Sequence, residues 1–436
     1  MSTDPAPAPA PLLSPWRWWV CVLLMLATVI NYMDRMALNQ MAKEIKDAFG
    51  MNNEQYSWLE SVFSLAFAIG AVTTGYVVDR VSVRWVYPLM VIGWSVAGMV
   101  TGFAGSFWML LTCRFMLGLF EAGNWPCGIR TTRAVLPPAE RSFGNSLFQS
   151  GTALGAVVTP LIVLAILQRA EAAGASETWR IPFRIIGGLG LVWVALWFIT
   201  IPKALLEPPP AAGGVPAHQG AANFADVFRD RRFWALAAMV MAVNFTWHGY
   251  RTWLPLYLRE QRGYSREAMS AFTTVYYLVA DVGSWTVGIV TLLLCKRGMR
   301  VHVSRLLAFA GCALLTVCTV SVPFLPASWV LEAVLLVIAF GALGLFPTYF
   351  ALSQELSSKH QGKVTGVLGA FAHLSLFAVY PIEGWICDRT KSYEWVLGGI
   401  GVFPLLAFAT MFALWPPRHE PPPPAPVDGP GAGNRR

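Results

Sequence analysis

Residues 18–42 read WWVCVLLMLATVINYMDRMALNQMA. A hydrocarbon core about 30 Å thick is crossed by about 20 helical residues rising about 1.5 Å each, so this single run is long enough to span a bilayer. Beyond its midpoint stand Asp34 and Arg35, an acid and a base side by side in an otherwise apolar stretch. Those two properties decide the class of fold and point to where its chemistry lies.

The rest of the chain agrees with that reading. Of 436 residues, 56% are hydrophobic and only 13% are Asp, Glu, Lys or Arg. Ordinary soluble domains carry about 25% charge, so a water-facing surface cannot be built from this composition. The net charge of +8 does not indicate nucleic acid, because the basic residues fall in short clusters between apolar runs and form no extended face. The seven cysteines lie mostly inside apolar runs, with no C-x-x-C pair and no His at ligand spacing, and read as small buried hydrophobes rather than a metal site or disulfide framework. The N-terminus has no basic segment followed by a cleavage site, so the first helix is expected to be retained.

Twelve runs have spanning length: Trp18–Ala42, Tyr56–Val81, Tyr87–Gly105, Phe107–Val135, Arg141–Leu167, Ile181–Ile201, Phe233–Leu258, Ala268–Cys295, Val301–Val322, Ser328–Leu356, Gly362–Ile386 and Trp395–Trp415. The tails and even-numbered loops carry nineteen Lys and Arg and the odd-numbered loops ten, which places both termini in the cytoplasm by the positive-inside rule. The expected fold is an all-α membrane protein of twelve transmembrane helices in two six-helix halves. Its parts are an N-terminal tail (1–15), a first bundle (16–202), a cytoplasmic linker rich in Pro, Gly and Ala (203–230), a second bundle (231–416) and a C-terminal tail (417–436). The Pro-rich tails cannot bury a core and are expected to be disordered.

The halves echo each other. Asn31 and Asn244 recur at the same offset as Gly75 and Gly288, and Leu-Gly-Leu-Phe appears at 117–120 and at 343–346. Runs five and eleven share a Gly-studded face ending in proline, Gly144, Gly151, Gly155 and Pro160 against Gly366, Gly369 and Pro381. Small residues let helices cross closely, and internal repeats of this kind build alternating-access transporters.

Six charged residues sit well inside their runs: Asp34, Arg35, Arg114, Glu121, Arg251 and Asp281. Each costs about 2.5–3.5 kcal/mol at a helix centre, so they must pair or face water. Arg114 and Glu121 are seven residues apart and share one helix face. The expected network sets Arg114 between Asp34 and Glu121 and leaves Arg35, whose planar fork binds a carboxylate bidentately, for a ligand. Arg251 and Asp281 are expected in the cavity, in a pair with each other, or nearer the interface. Tyr32, Gln149, Asn244, Trp247, Tyr250 and His373 can hydrogen-bond or stack on a small ligand, or serve as packing between helices.

Gly75-Tyr-Val-Val-Asp79-Arg80-Val-Ser82-Val-Arg84 resembles the signature of the major facilitator superfamily, with Ser82 and Val83 as departures. A second copy, at Gly288 to Gly298, has Leu292 in place of its Asp. More specifically, the chain from about Trp18 to Trp415 is similar to the anion:cation symporter family and its hexuronate and sugar-acid permeases. The residues that carry this likeness are Asn31 to Arg35, Arg114 to Ala122, Pro138 to Arg141, Ser150 to Pro160, Trp253 to Leu258 and Ala280 to Gly283. Arg251 and His373 depart from the family pattern and are candidates for an altered substrate. The resemblance implies that Arg35 holds a substrate carboxylate, that Asp34 and Glu121 take coupling protons and that Arg114 adjusts them. Asp79, Arg80 and Arg84, at the cytoplasmic helix ends, are expected to gate.

The expected function is a proton-coupled symporter importing a small organic anion such as a hexuronate or aldonate. It would work as a monomer in the cell membrane, a bacterial inner membrane, driven by the proton gradient with no cofactor, metal or nucleic-acid partner. An exporter or antiporter, or a sodium-coupled carboxylate transporter, is the alternative. Run five lacks the Gly-Pro pair of drug/proton antiporters, which disfavours export. The short tails and central loop disfavour a signalling receptor, and no H-E-x-x-H or G-x-S-x-G motif supports an enzyme.

Overall fold

The computed structural model describes residues 15–78, 80–136, 141–201, 224–356 and 361–415. Among them there is no strand, and the elements are helices joined by short turns. Eight helices form its first half: α1 (Pro15–Gln40), α2 (Ala42–Phe49), α3 (Asn53–Val78), α4 (Val83–Thr101), α5 (Phe107–Glu121), α6 (Asn124–Val135), α7 (Arg141–Ala172) and α8 (Arg180–Thr200). The second half holds α9 (Arg231–Leu256), α10 (Arg266–Lys296), α11 (Val301–Val317), α12 (Trp329–Gly344), α13 (Phe346–Leu356), α14 (Gln361–Thr390), α15 (Glu394–Ile400) and α16 (Phe403–Leu414). A short 3-10 helix, Phe224–Arg229, precedes α9, and a π-helical turn, Tyr257–Gln261, follows it. The tails and most of the 203–230 linker lie outside the described residues.

Ten helical stretches are long and apolar enough to cross a membrane, from Trp16–Gln40 to Glu394–Leu414. The other two expected runs fall elsewhere. Phe107–Val135 is interrupted after Glu121 and forms α5 and α6, and Phe233–Leu258 covers most of α9 and the start of the π-helical turn after it, with Arg231, Arg232, Asn244, His248 and Arg251 lowering the hydropathy of α9. Local signals set several helix starts: Ser106, Asp230 and Ser265 accept backbone N–H groups of the first turns of α5, α9 and α10, relieving donors that a helix start leaves unpaired.

Packing repeats between the halves. In the first, α1 packs on α7, α3 on α5 and α4 on α8; in the second, α9 packs on α14, α10 on α12 and α11 on α16. Between them, α3 lies along α14, α7 along α10 and α1 against α9. The Gly face of α7 does what its spacing predicts: a Cβ at Gly155 would stand 2.7 Å from Tyr32 Cβ and 2.9 Å from the Val29 carbonyl, so α7 seats directly on α1. Its expected counterpart differs, because a Cβ on Gly366 or Gly369 of α14 would meet nothing within 4 Å.

α3 and α14 run antiparallel and are bound tightly at one end. The Asp388 carboxylate accepts the backbone N–H groups of Asn53 and Glu54, capping α3 from the other half of the chain. Ser61 donates to the Phe377 carbonyl at 2.6 Å, and a Cβ at Gly384 would stand 2.6 Å from the Asn53 carbonyl. On this same face Lys46 of α2 bonds Glu260 at 3.0 Å, Arg259 bonds Glu44 at 3.1 Å, and Arg266 joins Glu44 at 3.2 Å and also Glu171. Burial, reinforced by the Glu260 carboxylate, pushes the Tyr393 hydroxyl well above its ordinary value, so it stays protonated and donates to that carboxylate.

Candidate functional site

Buried charged groups of α1, α3, α5 and α9 converge. A polar stripe on α3, Ser57, Glu60, Ser61 and Ser64, follows i, i+3, i+4, i+7 spacing and is wholly buried. Against it lie Arg114 of α5 and Arg251 of α9. One oxygen of Glu60, Oε2, accepts from Arg114 Nη2 at 3.2 Å and from Arg251 Nη2 at 3.0 Å. Arg114 also donates through Nε to the Leu59 carbonyl and sits over the Phe63 ring at 4.6 Å. Arg251 reaches Tyr380 Oη of α14 at 3.3 Å, while its own backbone carbonyl accepts from Asn39 Nδ2 of α1.

This changes the expected network. Arg114 does not bridge Asp34 and Glu121; it pairs with Glu60, a residue the run boundaries had placed near a helix end. Arg35 is not left for a ligand, because its Nε donates to Glu121 Oε2 at 2.5 Å. Both partners are buried, Glu121 completely. The guanidinium of Arg35 stands over Phe67 at 4.7 Å, Phe63 at 5.2 Å and Tyr32 at 5.5 Å, an aromatic cradle that holds a cation without neutralising it. Its two terminal nitrogens make no hydrogen bond among the described residues. Neither oxygen of Asp34 has a hydrogen-bond partner, and Gly98 of α4 makes room for them: a Cβ there would stand 2.9 Å from Asp34 Oδ1. Asp281 makes no ion pair among the described residues, and Arg251 turns to Glu60 instead.

The second half lines this cluster with rings. His373 of α14 stacks on Phe67 at 4.2 Å and donates through Nδ1 to the Gly369 carbonyl at 3.0 Å. His248 of α9 stands edge-on to His373 at 6.3 Å, its buried Nδ1 unpartnered. Trp247 packs edge-on to Tyr277 and Phe346. Trp253 donates its indole N–H to Glu383 at 2.8 Å, a second buried acid the sequence reading passed over. Other candidates are committed to packing: the Tyr250 hydroxyl donates to the Leu397 carbonyl at 3.0 Å, and Asn244 donates to the Val240 carbonyl of its own helix at 2.7 Å. Tyr32 is half-buried beside Arg35, and Gln149 is exposed on α7.

The expected gate residues stay within the first half. Arg84 donates to the Ile201 carbonyl beyond the end of α8, and Arg80 donates to the Tyr76 carbonyl one turn back and covers that ring at 3.3 Å. Asp79 lies outside the described residues. Glu60 was legible from the stripe of Ser57, Ser61 and Ser64 around it; Glu383 and His248 had no such local signal.

A multi-pass membrane protein with internally repeated packing and a buried cluster of arginines and acids between its halves is the architecture of a secondary transporter, not an enzyme. The model of the Major Facilitator Superfamily matches residues 24–379, and the chain belongs to that family. Among curated proteins it is 27% identical over 398 residues to the probable sulfoacetate transporter SauU of Cupriavidus necator, covering 87% of this chain and 89% of that one. It is 25% identical over 413 residues to the hexuronate transporter of Escherichia coli, covering 91% of each. A probable L-galactonate transporter of Escherichia coli is 27% identical over 423 residues, with 92% and 90% covered. The expected likeness to sugar-acid permeases is therefore met. Among solved structures, a bacterial homolog of the human lysosomal transporter Spinster, inward-facing and unoccupied, aligns with a TM-score of 0.77 at 19% identity over 92% of this chain and 97% of that one, which establishes the same fold.

Proposed function

We propose that this protein is a proton-coupled symporter that imports a small organic anion, a sugar acid such as a hexuronate or aldonate, by alternating access. The fuller topology belongs to the same reading: twelve spans, with α5–α6 and α9 as the fourth and seventh, two six-helix halves, both termini in the cytoplasm, and a monomer in a bacterial inner membrane. The names of the relatives support a carboxylate or related anion as substrate.

One observation carries the mechanism: Arg35 and Glu121 form a buried ion pair through a single guanidinium nitrogen. A substrate carboxylate and the Glu121 carboxylate compete for the same cation. When Glu121 takes a proton its hold on Arg35 weakens, and the substrate carboxylate binds the fork in its place; when the proton leaves, Glu121 reclaims Arg35 and the substrate is expelled. Asp34 has no partner to release and is the second proton site, and Arg114, anchored by Glu60, sets the field around both. Tyr32, Trp247, Arg251, His373 and Gln149 supply contacts to the body of the substrate.

The test is uptake into proteoliposomes under an imposed pH gradient, with aldonates, uronates and aromatic acids as substrates. Acid outside should drive at least one of them inward against its concentration gradient, and a sodium gradient alone should not. Uptake driven by sodium would replace the proton in this scheme, and failure of every carboxylate to move would overturn it.

A further inference from the structure

We infer that Arg251 is a second anion anchor, contributed by the second half of the chain, and that the transported species is a small dianion whose two acid groups are held by Arg35 and Arg251. The inference rests on the proposed function and narrows its small organic anion to one with two acid groups, an aldarate rather than a hexuronate or aldonate.

The pairing of Arg251 is incomplete in a specific way. It meets both Glu60 and Tyr380 through Nη2, and its buried Nε has no partner. Nε and Nη2 form one edge of the guanidinium, the edge that a carboxylate grips with two parallel hydrogen bonds. Glu60 therefore uses half of a bidentate site. Glu60 is equally divided, since Oε2 serves both Arg114 and Arg251 while buried Oε1 has no partner. A second acid group on the substrate that takes both positions on Arg251 makes a better pair than Glu60 does, and Glu60 keeps a counter-ion in Arg114 when it yields.

Location supports the same assignment. Arg35 and Arg251 lie on α1 and α9, which pack against each other, and both stand within electrostatic reach of Glu121 and of His373. They flank one site from opposite halves of the chain. Tyr32 and Tyr277 are also within electrostatic reach of Arg251. Two added negative charges are matched by protons on Asp34 and Glu121, the two coupling acids, which keeps the low-dielectric site neutral.

The experiment is calorimetric binding to the full-length protein in nanodiscs, using matched ligands that differ by one acid group: galactarate with galactonate, and succinate with butyrate. In the unaltered protein the dianion of at least one pair should bind about 10- to 100-fold tighter, the range expected for hydrogen bonds to a charged partner. In Arg251→Gln the ratio of dianion to monoanion affinity should collapse to about one, and Arg251→Lys, which restores the charge without the planar edge, should recover only part of it. If Arg251→Gln does not fold, the ratio in the unaltered protein and in Arg251→Lys still decides. Equal or tighter binding of the monoanion by the unaltered protein, or a ratio that survives both substitutions, overturns the second anchor and leaves the symporter intact. Binding of neither member of either pair, nor of any carboxylate in the uptake panel, overturns the proposed function itself.

Discussion

The same tetrad, Leu-Gly-Leu-Phe, marks a helix break in each half of the chain, and the two breaks are put to different use. In the first half, Leu117 to Phe120 closes α5, and Glu121 is its last residue. In the second, α12 ends at Gly344, and Pro347 stands where the repeat would place an acid. Both breaks rely on a glycine at a close crossing: a Cβ at Gly118 would collide with the Phe63 carbonyl, and one at Gly344 would stand 2.7 Å from Cys312 Sγ. Backbone geometry has been kept while the side chain at the break has diverged. The first half concentrates Asp34, Arg35, Glu60, Arg114 and Glu121, whereas the second answers with Arg251, two histidines and a wall of aromatic rings. A repeat can thus preserve a helix break and keep a buried acid at it in only one of its copies.

The largest effect should come from removing the cation at the first break. In Arg35→Ala, carboxylate binding should fall below detection, and Glu121 is left buried without its partner, a loss of about 3–5 kcal/mol. Adding Glu121→Gln should recover much of the stability and none of the binding. Thermal unfolding and calorimetry on the single and double variants separate the two roles. Binding retained in the single variant would transfer the anchor to another residue.

The contrast between the breaks themselves is sharpened by Glu121→Gln and Pro347→Ala. Glu121→Gln should abolish accumulation against a gradient while counterflow exchange persists within about tenfold, because coupling needs a titrating group and binding needs Arg35. Pro347→Ala should change both by no more than about threefold, since a proline near the start of a helix satisfies no function a small residue cannot. Equal damage from the two substitutions would mean that the break, and not its acid, carries the coupling.

Much of this was legible in the sequence. Helix positions follow from hydropathy, as the match of Ile181–Ile201 to α8 shows, and the Gly151 and Gly155 spacing on α7 announced its seat on α1. The partners of the charges were not legible. Helical spacing puts Arg114 and Glu121 on one face of α5, but which neighbour each one meets depends on how α1 and α3 are set against that face, and this is a tertiary property. Glu60 escaped because it lies only seven residues into α3, where an acid usually marks a helix end. The deeper signal was the run of serines at helical spacing around it, which has no purpose on a lipid-facing surface.

The smallest predicted effect concerns the joined face, where charged segments of the two halves meet. After α1 comes α2 with Glu44 and Lys46, and after α9 comes the π-helical turn with Arg259 and Glu260. At the offset that relates Asn31 to Asn244, Lys46-Asp47 corresponds to Arg259-Glu260, the same order of charges, and across the interface each base meets an acid of the other segment, Arg259 with Glu44 and Lys46 with Glu260. These side chains are part-exposed, so each pair is worth about 1 kcal/mol and is weakened by salt. Lys46→Gln and Glu260→Gln should each raise the population of molecules parted on this face by about fivefold, a shift of that size. The charge-exchanged double variant, Lys46→Glu with Glu260→Lys, should return it to the original value. Spin-label distances between positions 47 and 391, in a chain with its seven cysteines replaced, report that population. If the exchanged pair behaves like the sum of two losses, the contact is incidental packing; if it restores the joined state, attraction between charges of the two halves is what holds this end of the molecule together.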